Sequence, residues 1–172
     1  TFFEEFGPDN IFVSKASGGP GDNGTPKERK RRPIRPEYAA QVEALVPSLV
    51  RTAVTLNIPA LVAGRVVKAR VPGFESDNVN ILGSTASGFL VAPKELRSGR
   101  VFTNEEAARG DKVAVMGKSI AEALFPGADP TGRFFTLDGA ECRIIGVFEG
   151  AKGGFFGENP ADSQVTIPLR TA

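Results

Sequence analysis

Residues 134–147 read Phe134-Phe135-Thr136-Leu137-Asp138-Gly139-Ala140-Glu141-Cys142-Arg143-Ile144-Ile145-Gly146-Val147. Two β-prone runs, Phe134 to Leu137 and Glu141 to Val147, flank Asp138-Gly139, a pair suited to a tight turn whose two central residues both take φ > 0. The stretch therefore predicts an antiparallel hairpin. Working back from it, Ala128-Asp129-Pro130-Thr131-Gly132 is a turn and Ser119 to Phe125 a short helix with Ile120, Leu124 and Phe125 facing inward. Lys112 to Met116 is a strand. Thr103-Asn104-Glu105-Glu106 has capping-box form, which predicts a short helix over 104–109. On the far side, Gln164 to Leu169 alternates as a last strand.

The N-terminal half gives other patterns. Residues 1–6 form a helix-like tail ending at Gly7-Pro8, and Ile11-Phe12-Val13 is a short β-prone run that predicts a buried strand. From Ser17 to Pro36 glycine, proline and polar residues dominate, and six of the chain's 21 basic residues fall there, so a mobile loop is expected. Pro36 opens a helix in which Tyr38, Val42, Leu45, Val46 and Leu49 share one face, and Pro47 ends its regular part. Two strands, 50–58 and 65–71, are expected to pair as a hairpin. The segment from Gly73 to Gly99 shows no clear periodicity.

The composition excludes several kinds of chemistry. With no His and the single Cys142 among 172 residues, neither a Ser-His-Asp or Cys-His apparatus nor a tetrahedral Cys/His zinc site can be assembled within this chain. Lys plus Arg is 21 and Asp plus Glu is 20, so the overall charge offers no argument for nucleic acid. Gly117-Lys118-Ser119 after a strand imitates the end of a phosphate-binding loop, but that motif needs Gly five residues before Gly117, where Lys112 stands. Glu105, Glu106, Asp111, Asp129 and Glu141 fall on helix starts, turns and an exposed strand position, where caps and surface charges are expected rather than an acid/base pair. Cys142 reads as a small buried hydrophobe.

Two stretches concentrate charge or apolar surface without an evident structural need. The Lys27–Arg35 cluster suits nucleic acid, anionic lipid headgroups or an acidic partner, or else is a solvated loop; it lacks the interleaved aromatics that stack bases. Phe155-Phe156 between glycines is either an exposed contact or a pair folded back on the core.

Several segments in order resemble the extracytoplasmic (periplasmic) core domain of MacB-type, or FtsX-like, ABC transporter permeases. They are Phe6-Gly7-Pro8-Asp9-Asn10-Ile11-Phe12-Val13, Val71-Pro72-Gly73, Leu96-Arg97-Ser98-Gly99-Arg100-Val101-Phe102-Thr103, Val113-Ala114-Val115-Met116-Gly117, Leu124-Phe125-Pro126, Asp129-Pro130-Thr131-Gly132-Arg133, Ile144-Ile145-Gly146-Val147 and Val165-Thr166-Ile167-Pro168-Leu169. The resemblance covers nearly the whole chain, and Gly99, Arg100, Phe102, Gly117, Leu124, Phe125, Pro130, Gly132 and Gly146 are its signature positions.

The resemblance implies an α+β fold, a ferredoxin-like porter half (βαβ) over 1–75 and 163–172 with an inserted smaller α/β lobe of short antiparallel strands and short helices over 76–162. It implies a non-enzymatic domain outside the inner membrane, anchored by transmembrane helices beyond this stretch, that transmits ATP-driven motion and contacts periplasmic partners or substrate. It brings no cofactor into the domain, since ATP is bound by a separate cytoplasmic unit reached through the transmembrane part. Homodimerisation and docking of a membrane fusion protein or another periplasmic partner are further implications, with Arg29, Arg31, Arg32, Phe155 and Phe156 as contact residues. The family's domain continues past the Pro-Leu strand, so a longer parent chain is expected. The basic loop is not part of the family pattern. The rival reading is a periplasmic ligand-binding module for an anionic or lipidic solute.

Overall fold

The computed structural model describes residues 10–15, 25–58, 60–62, 64–150 and 161–172. The Asp138-Gly139 turn forms as expected, with φ of 44° and 93°. It joins β9 (Phe134–Leu137) to β10 (Ala140–Phe148) in register from Leu137↔Ala140 to Phe134↔Arg143. Strand β10 organises the sheet. It pairs in parallel with β8 (Val113–Met116), and beyond the stretch taken by β9 it pairs antiparallel with β7 (Leu96–Gly99).

On the other side of β8 lies β11 (Gln164–Pro168), antiparallel to it and parallel to β6 (Asn80–Ser84), which in turn carries β1 (Thr55–Ile58) as an edge. At the opposite end β9 pairs with β4 (Ala69–Val71), and β4 with β5 (Phe74–Ser76). The strand order is β1-β6-β11-β8-β10-β9-β4-β5, and β2 (Leu61–Val62) and β3 (Arg65–Val66) make a separate small hairpin. With six of eight pairings antiparallel and only short helices among the described residues, the fold is α+β, as expected.

Side chains alternate across a strand, so β8 feeds two cores. Ala114 and Met116 join Ile120, Leu124, Phe135, Ile144, Val165 and Ile167 on one face, covered by α5 (Lys118–Leu124). Val113 and Val115 join Phe102, Ile145 and Phe148 on the other, with Phe89 and Ala107 packed against them. Phe89 comes from α3 (Gly88–Val91), and its ring meets Phe102 edge-on at 4.7 Å between centroids. Ala107 comes from α4 (Asn104–Arg109). Burying each of the larger aliphatic and aromatic side chains contributes about 1.5–3 kcal/mol, so the two-sided burial of β8 and β10 is a large part of the stability.

Both helices of this half begin and face as the sequence indicates. Thr103 Oγ1 accepts from the Glu106 N–H at 3.2 Å, and Glu106 Oε2 accepts from the Thr103 N–H at 2.8 Å, closing the capping box. In α5, Ile120 and Leu124 are buried, and so is Phe125 at its C-cap. Cys142 is buried too, and that burial raises its thiol pKa.

The N-terminal half departs from expectation in four places. Ile11-Phe12-Val13 forms no strand, and Ile11 and Val13 are 88% and 80% exposed. Three apolar residues need a sheet edge to pair with, and these find none among the described residues. The expected hairpin of 50–58 with 65–71 is replaced. Val71 and Phe74 close across the two-residue Pro72-Gly73 turn, which costs far less loop entropy than joining the two longer strands, and β1 goes to β6.

The third departure lies inside the basic loop, where α1 (Pro26–Arg29) forms on a second capping box, Thr25 with Glu28. Thr25-Pro26-Lys27-Glu28 carries the signal, a capping Thr, Pro at the first helical position and Glu three residues on. Lastly, the helix after Pro36, α2 (Tyr38–Leu45), forms where expected, but none of its residues is buried. In 73–99, the stretch without periodicity, β6 is a core strand. Asn80-Ile81-Leu82-Gly83-Ser84 does not alternate, and its burial comes from distant neighbours on both edges.

Candidate interaction surface

Three of the signature glycines, Gly99, Gly117 and Gly146, sit at backbone crossings too close for a side chain, while Gly132 has open space around it. Gly99 has φ +74°, and a Cβ on it would collide with the Ile145 carbonyl, while one on Gly146 would collide with the Arg100 carbonyl. Here β7 leaves β10, and the Arg100 N–H donates to the Ile145 carbonyl at 2.8 Å. Arg100 then grips Glu106 with two N–H donors, each 2.7 Å from a carboxylate oxygen. This pair, aided by the Thr103 N–H, holds the Glu106 carboxyl at about 2. Phe102 fills the core beneath.

The next contact is a turn that uses Pro130 and Gly132. The Gly132 N–H donates to the Ile144 carbonyl at 2.7 Å, and the Arg133 N–H to the Pro130 carbonyl at 3.0 Å. The Arg133 guanidinium lies over the Phe125 ring at 5.6 Å. Asp129 caps this turn, accepting from the Thr131 N–H at 3.0 Å and its hydroxyl at 2.7 Å, bonds that lower its carboxyl pKa.

The imitation of a phosphate loop is occupied by the chain itself. The Gly117 N–H donates to the Gln164 carbonyl at 2.7 Å and the Ser119 N–H to the Asp162 carbonyl at 3.1 Å, so these amides are committed. A Cβ at Gly117 would strike Asp162. The cleft beside it, about 540 Å³, is lined by Glu95, Lys118, Ser119, Glu122, Glu149, Gly150 and Asp162. Lys118 Nζ lies 3.9 Å from Glu149 and Arg97 pairs with Glu122 at 3.0 Å. A second groove, about 410 Å³, carries Arg65, Lys68 and Arg70, which are engaged by Asp138 and Glu75. Of the other carboxylates, Asp111 pairs with Arg109 at 2.6 Å, Glu105 sits in the first turn of α4, and Glu141 is exposed on β10. No cluster of three potential metal ligands occurs among the described residues.

The basic stretch is partly structured. Arg29 closes α1, Arg31 lies 3.4 Å from Glu28 and donates to the Lys15 carbonyl at 3.1 Å, and Arg32 is exposed. Phe155 and Phe156 lie outside the described residues. Sequence reasoning missed that Ile11, Val13, Ile34, Val42, Leu45, Val50 and Leu56 are left exposed, all of them large apolar side chains. Their sequence signals are the Ile11-Phe12-Val13 run and the apolar face of α2, patterns that cannot distinguish a face packed on the core from one left open.

These features define a mixed α+β domain. The pattern of the MacB-like periplasmic core domain matches residues 1–172, and the chain belongs to that family. Among its relatives, the macrolide export ATP-binding/permease protein MacB of Chlorobaculum tepidum is 42% identical over 74 residues, 43% of this chain and 11% of that protein. MacB of Nitrobacter winogradskyi is 31% identical over 96 residues, 55% of this chain and 15% of the relative.

Solved structures share the fold. The periplasmic region of MacB from Actinobacillus actinomycetemcomitans matches with a TM-score of 0.66 at 16% identity, covering 84% of this chain and 59% of that one. The extracellular domain of the noncanonic ABC-type transporter YknZ from Gram-positive bacteria matches at 0.64 and 19% identity, covering 79% and 63%. The chain is thus a periplasmic domain of the MacB-like ABC transporter permease type, spanning a small part of its curated relatives' length. No helix among the described residues is long and apolar enough to cross a membrane.

Proposed function

We propose that this domain carries motion and contacts for an efflux-type ABC permease and performs no chemistry itself. ATP binds a separate cytoplasmic unit, and conformational change reaches the domain through the membrane part of the permease. The domain works as a homodimer that presents a moving surface to a membrane fusion protein, another periplasmic partner or substrate, with the basic stretch at Arg29, Arg31 and Arg32 and the Phe155-Phe156 segment as its contact elements.

The observation that carries this reading is the use made of the signature residues. Gly99 and Gly146 leave no room for a side chain at one crossing and Gly117 none at another, while the turn at Pro130 and Gly132 is tied to β10 by the Gly132 N–H donating to the Ile144 carbonyl. A body that passes on a displacement must not absorb it, and close-packed, hydrogen-bonded crossings give that rigidity. The solute-binding alternative finds less support. The larger described cleft is lined by four carboxylates against the single Lys118, itself 3.9 Å from Glu149, and by no large apolar side chain, so it disfavours an anion and offers a lipid tail nothing.

The test is a distance measurement in the parent permease with its nucleotide-binding unit. A spin label is placed at the exposed Glu105→Cys on each protomer, and inter-protomer distances are compared with and without a non-hydrolysed ATP analogue. A shift in the distance distribution is expected. An unchanged distribution in a permease that still hydrolyses ATP overturns the reading.

A further inference from the structure

The basic stretch is the most polarised part of the molecule. Six cations against the single acid Glu28 give residues 27–35 a net charge of +5; the whole chain carries +1, leaving −4 on everything else. Glu28 does not offset this charge at the surface. It is buried, accepts from the Thr25 N–H at 2.8 Å and its hydroxyl at 3.0 Å, and pairs with Arg31. Lys27, Lys30, Arg32 and Arg35 are exposed and have no ion-pair partner among the described residues.

Bare apolar side chains stand beside these cations. Ile34, between Arg32 and Arg35, is 47% exposed. The hydrogen bond from Arg31 to the Lys15 carbonyl brings up the 11–15 segment, with its exposed Ile11 and Val13 and another cation in Lys15.

We infer that this strap, residues 25–35 with the adjoining 11–15 segment, docks on an anionic lipid surface, its cations meeting headgroup phosphates and its isoleucines and valine entering the boundary below them. A cationic segment interleaved with exposed aliphatic side chains has the chemistry of interfacial membrane binding. An acidic protein face would match the charges and leave Ile11, Val13 and Ile34 in contact with carboxylates. The inference gives the basic stretch an anionic lipid surface as its partner in place of a periplasmic protein, and rests on the chain's place in a membrane permease for its setting.

The test is co-sedimentation of the 172-residue chain with phosphatidylcholine vesicles, with and without about one-third phosphatidylglycerol, at about 0.1 M salt. Binding to the anionic vesicles alone is expected. Each cation near such a surface contributes about fivefold in partitioning, so R32Q/R35Q falls by about 25-fold and K27Q/K30Q/R32Q/R35Q by at least about a hundredfold. I34S lowers binding severalfold in a way that added salt does not mask. All these side chains are exposed, and an unchanged circular dichroism melt confirms folding. If the quadruple variant fails that check, R32Q/R35Q with I34S decides alone.

Equal binding to both vesicle types, or variants that bind like the parent, overturns the inference. Binding to polyglutamate without binding to vesicles also overturns it and assigns the strap to an acidic protein. Vesicle binding needs no ATP, whereas the distance measurement leaves the strap intact, so failure of either is separable from failure of the other.

Discussion

The stretch from residue 96 to 148 and the stretch from 25 to 58 are built with the same local devices and end in opposite states. Each contains a capping box, Thr103 with Glu106 in one and Thr25 with Glu28 in the other, and each contains an amphipathic helix or a β-prone run. In the first, strands β8 and β10 are covered on both faces and their side chains carry the stability. In the second, α2 buries nothing. Its end is held by a polar staple in which the Thr52 N–H and hydroxyl donate to Glu43 at 2.7 and 2.6 Å, and β1 is anchored through the Thr85 N–H donating to the Val54 carbonyl at 3.0 Å. Local signals place an element; a facing surface is needed before its apolar side does any stabilising.

Four substitutions test how deep that contrast runs. The largest effect is expected from Gly146→Val, because the new side chain meets the Arg100 carbonyl at a crossing that has no room to shift. Loss of at least about 3 kcal/mol, seen as a collapsed urea midpoint, is expected. A near-parental midpoint would mean that the crossing is not rigid and would weaken the case for motion transmission. Leu124→Ala, in the fully covered helix α5, should cost about 2–5 kcal/mol in the same measurement. A cost below about 1 kcal/mol would show that α5 packs no better than α2.

Glu106→Gln removes half of a capping box and the grip of Arg100, with an expected loss of about 1–2 kcal/mol at neutral pH. The pH dependence has a definite sign. The folded Glu106 carboxyl lies at about 2, below its usual 4.5, so its contribution is complete above pH 4.5 and is lost as the pH falls toward 2. Parent and variant stabilities should therefore converge over that interval. A constant gap would mean that the Gln change acts through packing. The smallest effect is expected for Leu45→Ser, on the open face of α2, at within about 0.5 kcal/mol. A loss several times larger in the parent permease than in this chain would reveal that the face is covered there.

Much of the 96–148 region was readable before any coordinates, because its cues are short-range. A Thr three residues before a Glu, an Asp-Gly pair and the spacing of Ile120 and Leu124 act within one turn of chain. Thr25-Pro26-Lys27-Glu28 was equally readable and was obscured by the glycine and charge around it. Strand β6 was not readable, since Ile81 is buried by what β1 and β11 bring from residues 55–58 and 164–168. The mistaken hairpin of 50–58 with 65–71 has the same origin. The residue patterns allowed several partners, and the short Pro72-Gly73 closure decided among them.

The proposed contact surface divides the same way. Its charge was visible as a run of Lys and Arg, whereas its exposed aliphatic members looked like a buried strand and a buried helical face. What the sequence by itself determined is therefore where helices begin, where tight turns fall, which chemistry is excluded for want of His and Cys, and the family to which the ordered motifs point. Tertiary structure alone decided which apolar faces are covered, which strand lies beside which, and that three of the signature glycines mark crossings. Caps and turns are settled by atoms within a few bonds of one another, whereas burial and pairing depend on surfaces contributed by residues far away in the chain.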